Sequence, residues 1–136
     1  MKQRSDFIGT ELDWFAVDAD GFVALLSSAG FGPIPDCVFE RFEEQRRIEE
    51  FLARLAGQGL MADWKRMILA LVATGVFVYD WQHWGGPYCR QGAPSVPRRW
   101  DELGIPDELR PSFAILPQCF AASRTLRPEL ALPCTW

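Results

Sequence analysis

The chain has 136 residues, 49% of them hydrophobic, with 18 acidic side chains against 14 basic ones. These proportions exclude disordered, collagen-like and coiled-coil chains, and the length holds one core, so residues 1–136 are read as a single domain. The net charge of −4 argues against nucleic acid or an anionic membrane as the main partner and for a basic one.

Residues 1–8 carry basic side chains but no apolar run of signal-peptide length, which points to a cytoplasmic protein. Residues 13–17 and 22–28 are β-rich runs separated by Asp18-Ala19-Asp20-Gly21, whose Asp and Gly chemistry makes a hairpin turn. Two glycines and two prolines in residues 29–35 then enforce a structured loop. Asp36 stands where an N-cap belongs, and acids fill the first turns of a helix that Gly57 ends. Its apolar positions, Phe39, Phe42, Ile48, Phe51, Leu52 and Leu55, recur at three- and four-residue spacing. A second helix over residues 61–74, apolar nearly all round, is expected at the centre of the core and is stopped by Gly75. Residues 76–81 read as an interior strand covered on both faces. Residues 83–111, rich in Gly, Pro and Arg, predict long ordered loops with a helical turn near Asp107 to Arg110. Residues 113–116 form a further strand, residues 119–125 a short strand or edge segment, and residues 127–136 an extended tail. The fold class is therefore α+β: an N-terminal hairpin, two consecutive helices, then C-terminal strands completing a mostly antiparallel sheet packed against the helices.

The longest apolar run, residues 67–78, is too short to span a bilayer and contains Gly75. Cys37, Cys89, Cys119 and Cys134 form no closely spaced pair and His83 is the only histidine, so no zinc site is expected and the thiols are read as free and mostly buried. Asp13, Asp18 and Asp20 cluster at the hairpin, where turn formation explains Asp18 and Asp20 better than metal or acid–base chemistry. Neither a dinucleotide fingerprint, a P-loop nor a nucleophile elbow is present. No catalysis, metal or cofactor is expected. The alternative is a small-molecule-binding or enzymatic site built around His83, Tyr88, Cys89 and Arg90.

Charge distribution says more. Residues 1–60 carry eleven acids against six bases, and the remainder seven against eight. Asp18 and Asp20 at the hairpin tip, with Glu43, Glu44 and Glu50 on the first helix, would make a negative surface that steers a basic protein. Six tryptophans add apolar anchoring capacity, with Trp84 and Tyr88 in a loop sequence the candidates to hold a partner.

Residues 11–23 (ELDWFAVDADGFV), continued by residues 27–35 (SSAGFGPIP), and later Val78-Tyr79-Asp80-Trp81 with Gly86-Pro87-Tyr88, resemble small cytoplasmic immunity proteins of bacterial polymorphic toxin systems. The resemblance implies a single-domain α+β protein that binds one cognate antibacterial toxin and blocks it, and it names no catalytic residues. A cytosol-acting toxin such as a basic nuclease, its active site occluded by an acidic inhibitor, fits the charge.

Overall fold

A computed structural model of the chain describes residues 4–7, 9–57 and 63–130. Strands β1 (Asp13–Val17) and β2 (Val23–Ser27) pair antiparallel, with Asp13 opposite Ser27 and Val17 opposite Val23, as the Asp-Gly turn predicts. After β2 come a short helix α1 (Asp36–Glu40), the longer α2 (Phe42–Leu55) and α3 (Trp64–Thr74). Strand β3 (Phe77–Trp81) returns parallel to β2, and β4 (Tyr88–Gly92) pairs antiparallel to β3. A 3₁₀ turn at Asp107–Ser112 leads into β5 (Ala114–Ile115), parallel to β1, and β6 (Thr125–Leu126) pairs antiparallel to β4. The result is an α+β fold on one six-stranded sheet of order β5-β1-β2-β3-β4-β6. The sheet is mixed: β1–β5 and β2–β3 are parallel, and the N-terminal hairpin lies within it.

Both faces of the sheet are covered. One carries Trp14, Ala16, Ala24, Leu26, Phe77, Tyr79 and Trp81, packed against Val38 and Phe39 of α1 and the C-terminal Leu116, Phe120 and Leu126. The other carries Phe15, Val17, Val23, Leu25 and Val78, packed against α2, α3 and the segment from Trp100 to Phe113. Two-sided burial explains why β2 is apolar without alternation. Gln45 of α2 supports this second face from within. It is buried, accepts the Phe15 N–H at 2.9 Å and donates to the Ser112 carbonyl, so its amide occupies the edge of β1 beyond the reach of β5.

Several expectations are corrected. The helix read as continuous from Asp36 breaks at Arg41 (φ −121°, ψ 41°), and Pro35, not Asp36, is the N-cap. Helix α3 is a surface helix and not the centre of the core: Leu71 alone is fully buried and Leu69 is 71% exposed. Its ends follow the sequence, with Asp63 capping the Arg66 N–H at 2.9 Å and Gly75 in the left-handed region at φ 110°. Strand β4 lies in a stretch read as loop. Cys37 is disulfide-bonded, while Cys89 and Cys119 are free and only half-buried, so four free, buried thiols are not what forms. The extended tail falls mostly outside the described residues; Pro128–Leu130 is a 3₁₀ turn.

Gly32 shows how tightly the loop after β2 is laid on the sheet. A Cβ there would stand 2.7 Å from the Tyr88 hydroxyl and 2.9 Å from Trp81 Cγ. That hydroxyl cannot move freely, because it accepts from Trp14 Nε1 at 3.2 Å and donates to the Pro33 carbonyl at 3.0 Å. Gly32→Ala is expected to destabilise by about 2 kcal/mol through overpacking, measured as a lowered urea midpoint with unchanged slope.

Candidate functional site

The register of the first three strands brings Asp13, Ser27 and Asp80 side by side. Cross-strand partners point to the same face, so all three point to the side that carries Phe15, Leu25 and Val78. Over this row, α2 places Arg46 and Glu49. Arg46 Nη2 donates to the Asp13 carbonyl at 3.1 Å and lies 3.1 Å from Glu49 Oε2, and its guanidinium sits 5.2 Å from the Phe42 ring centre. Ser27 Oγ donates to Glu11 Oε1 at 3.2 Å. Between these groups and α3 is a half-open cavity of about 350 Å³. Phe15, Leu25, Leu52 and Leu71 give it an apolar floor, Trp64 and Met67 line it from α3, and Glu11, Asp13, Glu49 and Arg46 supply its charges.

Burial raises the Asp13 carboxyl above its ordinary value; Glu11 and Asp80 add to the rise, while the Ser27 hydrogen bond and Arg46 oppose it. Burial also raises Glu49, with Asp13 and Glu50 adding and Arg46 opposing, and it raises Asp80, with Glu11 adding and a backbone hydrogen bond from Trp81 opposing. Each group therefore binds a proton more readily folded than at its ordinary 3.8 or 4.5. Their contribution to stability falls as pH rises through the window between those ordinary values and the raised ones. Asp13→Asn, neutral throughout, is expected to raise the melting temperature at neutral pH and to lose that gain in acid; calorimetry across the window checks it.

The residues singled out from sequence separate in space. Asp18 is 3% exposed, and its carboxylate accepts the N–H groups of Asp20, Phe22 and Phe120, each at 3.0 Å. It organises the turn and leaves the proposed surface; Asp20 remains exposed. Asp18, Asp20 and Cys119 are the one group among the described residues at metal-ligand spacing. The Asp18 oxygens in it are already occupied by backbone donors. Glu43 and Glu50 are exposed on α2, Glu44 half-exposed, but Glu43 and Glu50 alternate at helical spacing with exposed Arg47 and Arg54. Arg47 is itself paired with Glu108, while the cavity gathers three carboxylates, Glu11, Asp13 and Glu49, around the one guanidinium of Arg46.

Tyr88 is fully buried with both sides of its hydroxyl engaged, so it is a core residue and not a partner anchor. The Arg90 guanidinium is held by the Phe120 and Ala121 carbonyls at 3.0 and 3.3 Å, and His83 is exposed. Cys89 is half-buried, with Sγ 3.9 Å from the Pro87 carbonyl. None of His83, Tyr88, Cys89 and Arg90 lines the acidic cavity, and the polar atoms of Tyr88 and Arg90 are engaged within the fold.

Trp84 is different. In the turn between β3 and β4 it is 82% exposed, with its ring 5.7 Å from Phe31 and 5.9 Å from Trp81. Phe31 is itself 54% exposed. Trp81 is fixed beneath them by its indole N–H, which donates to the Gly86 carbonyl at 3.0 Å. The three rings, with Pro33, Gly85, Gly86 and Glu129, border a shallow groove of about 280 Å³. This shelf follows the ends of β2 and β3 and so lies at the same end of the sheet as Asp13, Ser27 and Asp80. Comparison with family models, curated proteins and solved structures gives no match for the chain.

Proposed function

We propose that this protein is an immunity protein: it binds a cognate antibacterial toxin, of the basic, cytosol-acting nuclease kind, and occludes its active site. The observation that carries the reading is the Phe31–Trp84 shelf. Two large aromatic side chains left in water, Phe31 tilted against Trp84 and Trp84 edge-on to the fixed Trp81, are costly for a solitary domain and serve as anchors in a protein interface. The acidic cavity at the same end of the sheet supplies the charge that attracts a basic partner. Steering thus moves from Glu43, Glu44 and Glu50 to Glu11, Asp13 and Glu49, and anchoring rests on Trp84 without Tyr88. Action by binding alone, without turnover, follows from this reading.

A toxin with a cytosolic target places its inhibitor in the cytoplasm. No helix among the described residues is long and apolar enough to cross a membrane. Growth of cells expressing a candidate toxin, identified by co-purification with this chain, with and without the chain, tests the reading. Restored growth is expected; continued killing at matched toxin levels would refute it.

A further inference from the structure

We propose that the cavity between α2, α3 and the start of the sheet is a binding site for a monovalent organic cation with a hydrocarbon stem, an alkylguanidinium or alkylammonium group. Its volume of about 350 Å³ is at the small end for ligand sites, which suits one side chain or a small amine. The lining divides into two chemistries. Phe15, Leu25, Leu52 and Leu71 offer apolar surface for methylenes, whereas Glu11, Asp13 and Glu49 offer three carboxylates against the single guanidinium of Arg46. Trp64 adds an aromatic wall of the kind that attracts cations.

Charge sign and spacing narrow the ligand. The excess of carboxylates rejects an anion. A bare divalent ion is also disfavoured, because among the described residues only Asp18, Asp20 and Cys119 converge to metal-ligand spacing, and none of them lines this cavity. A larger cation, bridging carboxylates that do not converge on one point, fits what is left. It would also relieve the repulsion between Glu11 and Asp13, both of which line the cavity; burial makes that repulsion more costly. The cavity's carboxylates are those that supply the steering charge in the proposed function, but neither Phe31 nor Trp84 lines it, so failure of the cation site would leave the aromatic anchor and its own test untouched.

The test is an NMR titration of the intact chain with three probes: n-butylguanidinium, the peptide acetyl-Gly-Arg-Gly-amide, and neutral n-butylurea. Saturable shifts at the Trp64 indole and Met67 methyl are expected with a guanidinium probe, with butylurea binding at least about tenfold more weakly. Tighter binding of butylguanidinium assigns the site to a free small cation, and tighter binding of the peptide assigns it to an arginine presented by a protein. Glu49→Gln is expected to weaken binding about tenfold, and Glu11→Gln, at an exposed position, to weaken it without touching the fold. Absence of saturable shifts up to about 10 mM, or butylurea binding equal to butylguanidinium, would overturn the proposal.

Discussion

Asp18→Ala is expected to lower the unfolding free energy by about 3 kcal/mol, the largest effect of any single polar substitution in the hairpin. The buried carboxylate accepts three backbone N–H groups: those of Asp20 and Phe22 in its own turn, and the buried one of Phe120 from more than a hundred residues away. The third bond matters most. It fastens the segment that carries Phe120, whose ring packs 5.7 Å from Phe77 and 5.8 Å from Tyr79, to the tip of the first hairpin. Tyr79 reinforces the same segment by donating to the Ser123 carbonyl at 2.6 Å, and burial pushes its hydroxyl up to about 12, so it remains a donor throughout the neutral range. Asp18→Asn keeps one acceptor oxygen and is expected to fall between wild type and Asp18→Ala. Chemical denaturation of the three proteins orders them; equal stability of Asp18→Ala and wild type would remove Asp18 from this role.

Trp84→Ala is expected to weaken toxin binding by about 2 kcal/mol or more, roughly thirty-fold in Kd, mainly through faster dissociation. Stability should change little, because the indole is largely in water and meets the core only edge-on at Trp81. Tyr88→Phe makes the opposite pattern. It removes the donor to the Pro33 carbonyl and the acceptor for Trp14 Nε1, so it costs stability while leaving the binding surface in place.

Trp84 and Tyr88 also show where sequence stops being legible. Both lie in one Gly- and Pro-rich stretch and read alike as loop aromatics. They part because Tyr88 starts β4, opposite Trp81, while Trp84 sits in the turn. The sequence of β4, Tyr-Cys-Arg-Gln-Gly, has no β-branched residue, and it becomes a strand through pairing with β3 and β6, partners that local propensity does not report. The first hairpin was legible because its turn chemistry is local. The break at Arg41 was not, since the helical spacing of apolar residues runs straight through it. Helix α3 looked central because it is apolar, but apolar content does not say which face is covered. Ile68 and Val72 pack on the bare backbone of Gly92 while Leu69 faces out.

The acidic cavity was hidden for a related reason. Its carboxylates, Glu11, Asp13 and Glu49, come from two separate stretches of chain and are gathered only by the place of β1 in the sheet and by the placement of α2 over it. The excess of acid in residues 1–60 was its visible trace. That signal pointed to the right half of the chain without separating its carboxylates: Asp18 is held inside the turn, while Glu43 and Glu50 are exposed on α2 away from the cavity.

Purified toxin, titrated with wild-type protein and with a Phe31→Ala/Trp84→Ala double variant while its nuclease activity is followed, puts the account to its most direct trial. Stoichiometric inhibition by the wild type is predicted, and its loss in a double variant whose melting temperature is unchanged. Full inhibition by the folded double variant, or none by the wild type, would contradict it.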